Sequence, residues 1–189
     1  RLAQAGLYGS RVAVHLADPE HLPYSKNFAN LVLCSAALNQ DVSPEILKEA
    51  RRIQRPFGGQ FCWGPVENLQ LETKADLKGA GSWTHQYSNS TNTVNSNDEI
   101  VKGPLRMYWY RDVDFQIPNR HGQGPAPLVN RGVMVVGGLH GLCGLDAYNG
   151  HTLWKYQLRN NLTDMNGIHH DVSTAEVGSN FCLGGDYAF

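Results

Sequence analysis

Between Val133 and Leu158 the chain alternates short apolar runs with glycine and turn residues, and this cadence leaves few folds open. Val133-Met134-Val135-Val136 is mostly β-branched and stops at Gly137-Gly138. Leu142 to Ala147 forms a second run, and Thr152-Leu153-Trp154-Lys155-Tyr156 a third. Runs of this length, rich in Val, Leu and aromatic residues, predict antiparallel strands joined by hairpins. Tyr148-Asn149-Gly150 separates the last two, and Asn-Gly tolerates the positive φ of a two-residue turn. Such a sheet buries one face and leaves the other to neighbours.

The segment from Gly144 to Trp154 resembles the blade signature A-x-D-x-x-T-G-x-x-x-W of quinoprotein-like (PQQ-like) β-propellers. Asp146, Gly150 and Trp154 match it, while Gly144 stands at the Ala and Asn149 at the Thr. That family includes pyrroloquinoline quinone (PQQ) dehydrogenases and cofactor-free relatives such as the outer-membrane assembly lipoprotein. The resemblance implies that Trp154 docks between neighbouring blades, close to a turn glycine, as a structural motif independent of cofactor. Trp83, the polar run after it and the segment Gly103 to Tyr110 resemble the family's entry segment. Trp109 would then be the docking aromatic of the closing blade. Phe181 to Phe189 would begin the next blade, with the remaining blades supplied by further sequence or by a partner chain. A propeller rim would also offer a docking surface to a protein partner.

The N-terminal third reads differently. Ser43-Pro44-Glu45 opens a helix as N-cap, first-turn proline and first-turn acid, and Ile46, Leu47, Ala50 and Ile53 follow on one face. Pro56 and Gly58-Gly59 end it. Val12 to Leu16, Phe28 to Cys34 and Gln60 to Trp63 are predicted strands, and Arg1 to Tyr8 the end of a helix stopped at Gly9. Strands alternating with helices argue for βαβ units and a parallel sheet.

Residues 1–65 are similar to the second half of a class I S-adenosylmethionine (SAM) methyltransferase. Leu16 to Tyr24 resembles that family's G-D-A-x-x-L-P-F segment, Asn27 to Val32 its x-F-D-x-V strand, and Ile46 to Gly59 its helix and P-G-G turn. The resemblance implies that Asp18 accepts from the adenine amino group of SAM in the intact parent protein. An acid at the C-terminal end of a strand faces the crevice where α/β folds bind ligands. An Asp before Pro19 suits a turn equally well. Asn30 stands where the family has Asp, and the glycine-rich first loop is expected upstream of Arg1.

The expected fold is therefore α/β plus all-β. The C-terminal half of a Rossmann-like methyltransferase sheet occupies 1–65, a linker and propeller entry segment 66–102, and the start of a β-propeller 103–189. The chain reads as cut at both ends, with one complete blade. A net charge of −1 provides no basic footprint for nucleic acid, and no apolar run approaches the ~20 residues of a membrane span. Four scattered cysteines form no C-x-x-C pair and read as buried free thiols, an even count leaving disulfides open. Compartment stays open between bacterial cytoplasm and periplasm or cell envelope.

Arg120 and His121 sit in a glycine-containing loop, and the Arg120 fork suits a ligand carboxylate such as those of PQQ. His169 and His170 are adjacent and point to opposite sides of an extended chain; with Asp171 they lack a third ligand, so no metal is expected. Three functional readings follow. The first is SAM-dependent methyl transfer with the propeller as a binding platform. The second is a non-enzymatic scaffold or assembly protein. The third, a PQQ-dependent dehydrogenase, lacks identifiable calcium ligands and a catalytic Asp, so PQQ is not expected.

Overall fold

A computed structural model describes residues 1–35, 42–111, 126–138, 141–157 and 181–189. Its helix forms where capping chemistry places it. α1 spans Pro44–Ile53, and the Ser43 hydroxyl accepts from the Ile46 N–H at 3.2 Å. Glu45 lies in the first turn and Arg51 and Arg52 in the last, each sign matching the helix dipole. Glu49, Ala50 and Ile53 are buried.

α1 connects two parallel strands, β1 (Leu31–Leu33) and β2 (Gln60–Trp63), with Leu31 opposite Gln60. β3 (Gln70–Thr73) runs antiparallel on the far side of β2. Phe61, fully buried, stacks on Trp63 at 4.5 Å and anchors this sheet. Lys74 staples the sheet to the helix end. Its Nζ donates to the Asn27 side chain at 3.0 Å and to the carbonyls of Arg51 and Gln54 at 2.8 and 2.7 Å.

The second sheet is a four-stranded antiparallel meander of β4 (Leu128–Asn130), β5 (Val133–Gly138), β6 (Gly141–Asp146) and β7 (Thr152–Gln157). Arg131 and Gly132, at φ 45° and 78°, make the two-residue turn between β4 and β5. In the β6–β7 turn Asn149 is not left-handed, and Gly150 has positive φ, at 72°. The β6–β7 pairing slips between Gly144 and Leu145, leaving Leu153 as an extra residue and bringing Trp154 opposite Gly144. A third sheet is the hairpin of β8 (Leu183–Gly184) and β9 (Tyr187–Ala188). Leu128, Val135, Phe181 and Leu183 form a buried core beneath it, with Trp83 packed alongside. Trp83 bridges to β4 through paired hydrogen bonds with Val129, and the Leu183 N–H reaches the Thr84 carbonyl at 2.9 Å.

This architecture corrects the expected fold class. The described residues form three small sheets and one helix, with no closed barrel or propeller, so the chain is not half a Rossmann-like sheet followed by a propeller. Among the described residues β1 and β2 are the one parallel pair of strands, and of the run Val12 to Leu16 only Val12 pairs, in an isolated bridge with Tyr8. Val14 is 66% exposed and Leu16 fully so. Arg1 to Tyr8 forms turns, closed by glycines of positive φ at Gly6 and Gly9. Residues 103–111 form no strand, and the start of the expected linker instead supplies β3. No helix among the described residues is long and apolar enough to cross a membrane.

Candidate functional site

Several side chains join the α/β unit to the meander. Arg55, just beyond α1, donates from Nη1 to the Oδ2 of Asp146, which is completely buried at the end of β6. The rest of that guanidinium is bound to the carbonyls of Pro56 and Phe57. The other Asp146 oxygen accepts from the Tyr148 N–H at 2.9 Å, and its carbonyl accepts from Gly150 N–H at 2.8 Å. Nearby, the Asn149 amide donates to the Phe28 carbonyl at 2.9 Å and to the Asn30 side chain at 2.6 Å. Phe57, held at φ 58°, lays its ring on Tyr148 and against Gly132.

Above this seam lies an open cleft of about 660 Å³. It is lined by the segment after α1, by Thr73 to Asp76, by the β8–β9 hairpin, and by Val133, Val135 and Trp154. Three cations line it and each is engaged: Arg55 with Asp146, Lys74 with its three acceptors, and Arg131 with Asp76 at 3.3 Å. Burial holds the Lys74 ammonium below the usual lysine range.

The two tryptophans expected to dock, Trp154 and Trp109, both lie on glycines. A Cβ at Gly144 would overlap the Trp154 indole, and one at Gly150 would come within 2.6 Å of Trp109 Cε3. Trp109 also donates from Nε1 to the Ala147 carbonyl at 2.9 Å. The structure thus brings Asp146, Gly150, Trp154 and Trp109 together around the β6–β7 turn. Asp18 lies apart, in an exposed turn where it accepts from the Glu20 N–H at 2.9 Å and from His21 at 3.3 Å. Those hydrogen bonds, the backbone one first, hold its carboxyl below the usual range.

Arg120 and His121 lie outside the described residues, as do His169, His170 and Asp171. Among the described residues no group of three or more His, Cys, Asp or Glu is placed to hold a metal, and Cys34, Cys62, Cys143 and Cys182 are free thiols. Arg55, Lys74 and Arg131 escaped the sequence reading. Of these, Arg131 alone carried a local signal, the following Gly132 of a hairpin turn. No family model, curated protein or solved structure matches this chain.

Proposed function

We propose that this chain is a segment of a larger, bifunctional protein in which a methyltransferase-like α/β unit is joined to an antiparallel-sheet binding platform. The observation that carries the reading is the seam. The acid of the blade-type signature, Asp146, receives the guanidinium that follows the helix of the β1–α1–β2 unit. The larger context is supported by apolar side chains left bare on both sheets. Leu31, Leu33 and Leu71 on the first are each about 60% exposed, and Leu153 and Tyr156 on β7 are also exposed.

The residues present do not complete a SAM site. Asp18 spends its carboxylate on its own turn, and Asn30 spends its amide oxygen on Asn149. Catalytic parts would come from sequence outside these 189 residues, and no transfer step is assigned to them. A second reading, a non-enzymatic scaffold, is favoured by the engagement of every cation lining the cleft.

Equilibrium dialysis against SAM labelled on its methyl group separates the two. The protein as isolated from its cells is expected to retain label, and residues 1–189 alone to retain none. Absence of retention by both would leave the scaffold.

A further inference from the structure

We infer that the cleft between the β8–β9 hairpin and the segment after α1 binds a neutral, polyhydroxylated ligand of the size of a mono- or disaccharide. Its volume, about 660 Å³, lies within the range of small-molecule sites. Three features select the chemistry.

The first is an aromatic platform. The slip in the β6–β7 register lays Trp154 flat against Gly144, which has no Cβ to lift the ring. Trp154, 38% exposed, and Tyr187, 71% exposed, both line the cleft. Ring faces of this kind accept the C–H face of a sugar ring, whose edge then remains free for hydrogen bonds.

The second is charge. Arg55, Lys74 and Arg131 are already matched by Asp146, by three oxygen acceptors and by Asp76, so an anion entering the cleft must displace an existing partner. Hydroxyl groups avoid that displacement, because each can donate or accept as the lining requires. Asp186, on the hairpin turn at the cleft wall, has no hydrogen bond or ion pair among the described residues and presents acceptors to such hydroxyls.

The third is the rim. Arg131 is held left-handed at φ 45°, a conformation uncommon outside glycine, and its guanidinium is 3.3 Å from Asp76, which also lines the cleft. The turn that carries it is tied to the hairpin by the Asn130 amide, which donates to the Gly185 carbonyl at 3.4 Å. The β4–β5 turn, Asp76 and the hairpin thus frame one opening.

The test is a titration of the full protein with cellobiose, maltose and N,N′-diacetylchitobiose, with choline and ATP as ionic probes, followed by tryptophan fluorescence and calorimetry. At least one disaccharide should bind saturably in the millimolar range or tighter. Tyr187→Ala and Asp186→Asn, both at exposed positions, should each weaken that binding by on the order of tenfold while the melting temperature holds. Saturation by choline or ATP with no response to the saccharides would overturn the proposal. So would saccharide binding that neither variant changes, or no binding by any of the three sugars.

Discussion

The Asn149 side chain donates to the Asn30 side-chain oxygen at 2.6 Å and to the Phe28 carbonyl at 2.9 Å, so a turn of the meander is tied to the strand entry of the α/β unit. The pair works because the Asn149 amide donates while the Asn30 amide oxygen accepts, and a carboxylate at position 149 would have no proton to give.

Asn149→Asp should therefore loosen the seam. The substitution removes the donor and sets a carboxylate against the Phe28 carbonyl. A loss of about 1 kcal/mol is expected in urea unfolding, with Asn149→Ala showing less, since it leaves no new charge. Equal stability of parent and Asn149→Asp would contradict the contact.

The capped helix and the meander cadence were legible because their causes are local. Ser43 and Pro44 are contiguous with the helix they start, and Val133 to Tyr156 carries its own alternation of strand and turn. Long-range partners were not legible. β3 looks like linker because Gln70-Leu71-Glu72-Thr73 offers no strong apolar face; it becomes a strand only because β2 presents an open edge. The turn chemistry was half-read. Asn149-Gly150 looked like the two-residue hairpin, but Arg131-Gly132 adopts it, since the Asp146 carboxylate engages the Tyr148 N–H and favours a longer turn. Nothing local ties Arg55 to a partner 91 residues away.

Gly144→Ala tests the close approach of Trp154. A methyl group there would meet the indole, and the resulting overpacking should cost about 2 kcal/mol. In a Trp154→Ala background the same substitution should cost far less, because the obstructing ring is gone. Additive losses in the double variant would show that the ring does not rest on Gly144.

Acid should weaken the loop before β1. The Arg52 guanidinium, with the Leu22 N–H, holds the Glu49 carboxyl at about 2, against an ordinary value of 4.5. Because the folded value is the lower, this contribution is whole above about pH 4.5 and fades as the pH falls towards 2. Glu49→Gln should be less stable than the parent near neutral pH, and the gap should close in acid. A gap that stays constant across that window would contradict the pairing.

The central structural claim is that the α/β unit and the meander are one body clamped at Arg55 and Asp146, and a double-mutant cycle in urea tests it most directly. Asp146→Asn keeps an oxygen for the Tyr148 N–H, and Arg55→Met keeps an unbranched side chain of similar reach. Each single variant leaves one buried charge without its partner and should cost about 3–5 kcal/mol. The double variant should then be more stable than the sum of the two losses predicts, by about 2 kcal/mol. Two small, additive losses would mean that the two parts are not joined through this pair.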